Sequence, residues 1–351
     1  PTKTTYTNSQ MLTQFSVTLA PIPPPLYMIV DLTKAAGVDG QIAYVYEADL
    51  TNNLWGAWVR NPVTNNGTVV ESVVWTGVTT NDTYKTDKLV LRRMSAGTFT
   101  MGSPATELGR VPAGCAAEDR HSVVLTRPFY LGVFELTQRQ YELLMGTKPS
   151  YFNNATYYKT RPVERVSYAL LRGSSLGTNW PSNASVDSDS LVGCLKSKTG
   201  INGFDLPTEA QWEYACRSGT SGALNDGTVN LTNSTSDARL NLQGRYQSNG
   251  GTGSSQNCSP TNGTAVVGSY QPNGWGLYDT HGNVWEYCLD KGQSSLGTAT
   301  VTDPVGASVG TVSYMARGGG WNNSAQYSRS ATRYMGSPFT YTASDGGVRI
   351  A

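Results

Sequence analysis

From Gly97 onward no apolar run in this chain is long. Gly, Asn or an aromatic residue breaks each one within a few positions. Long helices need sustained 3.6-residue periodicity and wide sheets need sustained alternation, and neither is present. The core must therefore come from short elements joined by ordered loops. The 38 Gly, 20 Tyr and 8 Trp among 351 residues supply the tight turns and bulky side chains such a core needs.

Only 15% of the residues are charged, against the ~25% usual for soluble domains. The 26 Lys and Arg nearly balance the 25 Asp and Glu, leaving a formal net charge of +1. That balance argues against nucleic acid as a partner. Ser, Thr and Asn take the surface places of Lys and Glu, so an extracellular or cell-surface location is expected. No run of ~18 apolar residues occurs, so no membrane span is expected.

Two histidines, His121 and His281, exclude any site built on three His ligands within one chain. A lone histidine is usually structural or surface-exposed. Five cysteines are present: Cys115, Cys194, Cys216, Cys258 and Cys288. None are spaced as CxxC, which argues against a zinc ribbon or thioredoxin-type motif. Both buried free thiols and up to two disulfides are open.

Three regions are expected. In residues 1–25, Phe15, Val17 and Leu19 alternate with polar residues as one strand, before a stiff linker carrying Pro21, Pro23, Pro24 and Pro25. Such a strand either folds back on its own domain or adds to the sheet of a neighbouring copy. Residues 26–87 read as a β-rich extension, with strands at Leu26–Leu32 and Gln41–Tyr46 and a turn at Asn65-Asn66-Gly67. Residues 88–351 open on a strand at Lys88–Arg93. Helix starts are signalled by Thr137 with Gln140, by Thr208 with Gln211, and by Ser167; Gly146 and Gly219 mark the first two ends. Residues 220–351 read mostly as loops and short strands.

A series of motifs runs in order along residues 88–351. It comprises Gly97-Thr98-Phe99-Thr100-Met101-Gly102-Ser103, Val133-Phe134-Glu135-Leu136-Thr137 and Arg161-Pro162-Val163-Glu164-Arg165-Val166-Ser167. Then come Leu206-Pro207-Thr208-Glu209-Ala210-Gln211-Trp212-Glu213-Tyr214-Ala215 and Pro272-Asn273-Gly274-Trp275-Gly276-Leu277-Tyr278-Asp279. Gly282-Asn283-Val284-Trp285-Glu286, Arg317-Gly318-Gly319-Gly320-Trp321 and Gly347-Val348-Arg349-Ile350 complete it. This series resembles the formylglycine-generating enzyme, or sulfatase-modifying factor, domain family. The resemblance implies an α+β, loop-rich fold of the C-type-lectin kind.

Enzymes of that family hold copper with two cysteines five residues apart, just after the Gly-Gly motif. The matching positions here are Asn323 and Ser328. An amide and a hydroxyl do not replace the soft thiolates that select Cu(I), nor their redox chemistry. The expectation is a chain without catalytic residues, copper or iron. The resemblance also implies structural Ca²⁺ held by the side chains of Asp279 and Glu286 and the backbone oxygens of Gly282 and Val284, with Asn241 in a second site. The alternative for Glu286 is a salt bridge.

A branch of the family displays changing residues between the Gly-Gly-x-Trp motif and the final Gly-x-Arg. Here that segment holds Asn323, Tyr327, Tyr334, Met335, Phe339, Tyr341 and Ser344, a paratope-like mixture of aromatic and small polar residues. The leading expectation is a non-catalytic binding or adhesion protein for a protein or glycan ligand. The alternatives are a subunit of an extracellular fibre or surface layer, joined to copies of itself through Phe15, Val17 and Leu19, and a residual oxidase.

Overall fold

A computed structural model describes residues 23–65, 68–173, 186–250, 262–306, 313–338 and 342–351. Phe15, Val17, Leu19, Cys258, Phe339 and Tyr341 lie outside the described residues. The described strands form four small sheets. The first, in spatial order, is β2 (Ile42–Val45), β1 (Tyr27–Asp31), β5 (Lys88–Met94) and β8 (Phe129–Gly132), antiparallel throughout. The second pairs β3 (Trp58–Asn65) with β4 (Thr68–Trp75), and Asn66 and Gly67 of the expected turn lie outside the described residues. The third is β10 (Val301–Thr302), β7 (His121–Leu125) and β6 (Gly97–Met101). The fourth is β12 (Tyr334–Pro338), β11 (Ser313–Arg317), β9 (Trp285–Lys291) and β13 (Gly346–Gly347).

Short helices fill the gaps: α1 (Glu47–Thr51), α2 (Thr83–Thr86), α3 (Gln138–Met145), α4 (Tyr168–Arg172), α5 (Leu191–Thr199), α6 (Glu209–Arg217) and α7 (Leu240–Gln243). Thr137 and Thr208 both close full capping boxes with Gln140 and Gln211, satisfying backbone donors at each helix start. Gly146 ends α3 at φ 70°. Helix α6 stops one residue earlier than the sequence suggests, at Ser218 with φ 44°. Helix α5 carries the same signals, Ser190 as cap and Gly200 as stop, and sequence reading passed over it. No helix among the described residues is long and apolar enough to cross a membrane.

The first sheet crosses the line drawn at residue 88. Strands β1 and β2 come from the extension, while β5 and β8 follow it. Val30, Leu89 and Leu91 share one buried cluster with Tyr141, Tyr168, Leu195, Tyr287, Val348 and Ile350. The C-terminal segment is stitched in by backbone bonds, Gly132 N to Ile350 O and Leu136 N to Val348 O, both 2.8 Å. The extension therefore shares the core of the rest of the chain.

A chain poor in charge has buried much of the charge it has. Arg217, Arg317, Arg329, Arg333 and Arg349 are each at most 2% exposed. Arg329 binds Glu118 and Glu107, Arg333 binds Glu209, and Arg217 and Arg317 share Glu213. Buried ions persist only when paired and hydrogen-bonded, so these clamps fix loops that apolar packing alone would leave loose.

Candidate functional site: an aromatic cavity on the fourth sheet

Along β9, alternation sends Trp285 and Tyr287 to one face and Glu286, Cys288 and Asp290 to the other. The second face meets α6, where Trp212 Nε1 donates to Glu286 and Glu209 N donates to Asp290. The first face lines a cavity of about 250 Å³. Its floor follows the strand register: Tyr287 stands opposite Ala316 on β11, and Ala316 opposite Tyr334 on β12. The small Ala316 leaves room between two tyrosines. On the other side Gly346 of β13 pairs with Trp285. Asn323, Tyr327, Ala113, Ala343 and Asp345 complete the lining.

The rings hold one another. Trp285 stacks on Tyr334 with centroids 4.9 Å apart, and Tyr327 meets Trp285 edge-on at 6.4 Å. Tyr327 Oη donates to Ala113 O at 3.2 Å. Asn323 Oδ1 accepts from Gly320 N at 2.9 Å. Gly320 has no side chain to intrude there; a Cβ would lie 2.8 Å from the Asp345 Cβ. Burial pushes the Asp345 carboxyl above its usual range.

Of the seven residues expected to form a ligand surface, three meet here: Asn323, Tyr327 and Tyr334. Met335 packs instead against the cluster of Trp212, Cys216, Cys288 and Met315. Ser344 contributes its carbonyl, accepting from Trp321 Nε1 at 3.0 Å. Sequence reading did not single out Trp285, Tyr287 and Asp345 for this surface. Alternation along the β9 segment was the available signal for the first two.

Asn323, which the family resemblance sets at the first copper-cysteine position, lines the cavity. Ser328, which the resemblance sets at the second, is fully buried, and its Oγ has no hydrogen-bond partner. Cys115, Cys194, Cys216 and Cys288 are free thiols. Burial raises Cys115 to about 12 and Cys216 to about 11. His281 is held by backbone on both sides, Nδ1 against Ser328 O at 2.7 Å and Nε2 accepting from Asn225 N at 3.0 Å. Burial lowers its pKa to about 4, so it is neutral and structural.

The expected calcium loop turns tightly through Asp279, Gly282 and Asn283, all at positive φ. At Gly282 a Cβ would sit 2.0 Å from Arg245 O, so only glycine fits. Asp279 is 1% exposed; its Oδ2 accepts from Gly268 N, and its Oδ1 has no partner. Burial raises Asp279 to about 6, and it raises the nearby Glu135 well above the carboxylate range. An orphaned buried oxygen beside a second carboxyl suits a hard cation. Both Glu286 oxygens are engaged by side chains. Arg349 grips both its oxygens at 2.9 and 2.6 Å, and Trp212 adds a third bond at 2.7 Å. Asn241 accepts from Tyr246 Oη at 2.7 Å. Among the described residues no three His, Cys, Asp or Glu side chains are arranged to hold a metal.

Short sheets, capped short helices and a loop-built cavity define a lectin-like frame with helices and strands in one core. Residues 77–351 match the sulfatase-modifying factor enzyme 1-like domain, and the chain belongs to that family. It is 27% identical over 223 residues to the formylglycine-generating enzyme of Mus musculus, spanning 56% of each chain. It is 29% identical over 183 residues to the chaperone protein LppX of Paenibacillus barcinonensis, covering 46% of this chain and 62% of that one. The chain thus spans less than two thirds of either relative. The structure of Treponema denticola variable protein 1 superposes with TM-score 0.55 at 26% identity, over 75% of this chain and 94% of that one.

Proposed function

We propose that this chain is a non-catalytic binding protein, placed outside the cell or on its surface, that holds a ligand in the Trp285 cavity. The observation that carries this reading is the replacement at the cavity itself: an amide, Asn323, lines it where the family's copper enzymes carry a thiolate. The second position, Ser328, is fully buried. Likeness to a protein named as variable in Treponema denticola supports a frame that presents side chains for recognition.

An array of extracellular proteins and glycans tests this. Wild-type chain binds a defined subset. Ala113→Trp, which fills the cavity mouth with an exposed lining residue, abolishes that binding without changing the melting temperature. Equal binding by both chains would overturn the assignment to this cavity.

A second reading, assembly with copies of itself, has one feature in its favour. The β3–β4 hairpin forms a sheet of its own, and Val59, Val69 and Val70 on it are 41%, 70% and 41% exposed. Sedimentation of the full chain against one lacking residues 1–20 tests it. A monomer in both cases would end that reading.

A further inference from the structure

Resting on the binding reading above, the geometry points to a ligand class: the Trp285 cavity takes an alkylated ammonium headgroup. Four aromatic side chains, Trp285, Tyr287, Tyr327 and Tyr334, line one small space. Two of the ring contacts, 4.9 and 6.4 Å, fix the Trp285, Tyr327 and Tyr334 planes relative to one another. Aromatic faces carry negative quadrupole density. Trp285 and Tyr334 cover one face of each other, so the attraction for a bulky, weakly hydrated cation comes from their outward faces and from the Tyr287 and Tyr327 rings. Asp345 adds a carboxyl, and among the described lining residues there is no Lys or Arg.

The other linings are small. Ala113, Ala316, Ala343 and Gly346 leave space for methyl groups rather than filling it. Small hard cations suit this space poorly, because the rings offer no oxygen cage. An anion would face the Asp345 carboxylate without a compensating base. A neutral apolar group would fit the walls but would gain nothing from the half-buried Asp345 carboxyl. Gly320 permits the arrangement, since any side chain there would displace Asp345.

Choline and its neutral isostere 3,3-dimethylbutan-1-ol are the probes, added to the full chain while tryptophan fluorescence and amide NMR shifts are followed. Saturable shifts with choline are expected, with the isostere binding at least about tenfold more weakly. Asp345→Asn and Tyr327→Leu weaken choline severalfold, while Tyr327→Phe retains it because the ring remains. Thermal melts of each variant separate lost binding from lost folding. Equal binding of the two probes, or no binding of choline by the folded wild-type chain, would overturn the inference. The binding reading itself then stands or falls on the array result with Ala113→Trp, which uses neither probe.

Discussion

Arg349, the next-to-last residue of the motif series, closes a two-pronged ion pair on Glu286 at the centre of the fourth sheet, with bonds of 2.9 and 2.6 Å. Its remaining donors reach the carbonyls of Gly132, Val133 and Tyr278. One guanidinium thus joins β8, the loop that begins at Tyr278 and β9. Arg349→Met leaves a buried carboxylate without its counter-ion. Urea unfolding should show a loss of about 3–5 kcal/mol, while Glu286→Leu with Arg349→Met loses less than Arg349→Met alone.

The calcium expected in this loop is tested at Asp279, whose buried Oδ1 has no partner. The account predicts that Ca²⁺ raises the melting temperature of the chelator-treated chain, because an ion that binds only the folded state stabilises it by mass action. Asp279→Asn, which keeps the backbone turn and removes the charge, should remove that dependence. A calcium-independent wild-type melt would show that Arg349 and protons alone balance this cluster.

His281 sets a pH dependence whose sign follows from its lowered pKa of about 4. The unfolded chain takes up its proton near pH 6.5, before the folded chain does. Its contribution therefore falls as pH drops from about 6.5 to about 4, by on the order of 3 kcal/mol in full. Urea unfolding of wild type and His281→Gln across that window should show the smaller loss of stability in the variant.

Gly319 and Gly320 separate stability from binding. Gly319 has φ 81°, and a Cβ there would lie 2.7 Å from Ser328 Oγ and 2.9 Å from Tyr327 O. Gly319→Ala should destabilise the fold by on the order of 1–3 kcal/mol. Gly320→Ala instead presses on the Asp345 side chain, so ligand binding should drop more than the melting temperature does.

Much of this was legible in the sequence where the signal was local. Thr137 and Gln140, or Thr208 and Gln211, specify a helix start within four residues, and the structure builds both as read. The ordered motifs gave the family and the fold, and the Asn323 position pointed to the cavity. The rest depends on partners far apart in the chain. Glu286 reads alone as a metal ligand or half of an ion pair, and the ion-pair partner, Arg349, lies 63 residues later. Tyr287, Ala316 and Tyr334 become neighbours through strand register, which no single segment encodes. Met335 follows Tyr334 directly, and strand alternation turns it into the core instead.

The central claim, a cavity that holds a ligand without copper chemistry, is tested most directly by titrating the reduced full chain with Cu(I) against a chromogenic chelator, followed by oxygen uptake with a cysteine peptide. The account predicts that the chelator keeps its copper and that oxygen uptake stays at the no-protein rate. One tightly held copper per chain, with peptide-dependent oxygen consumption, would contradict it.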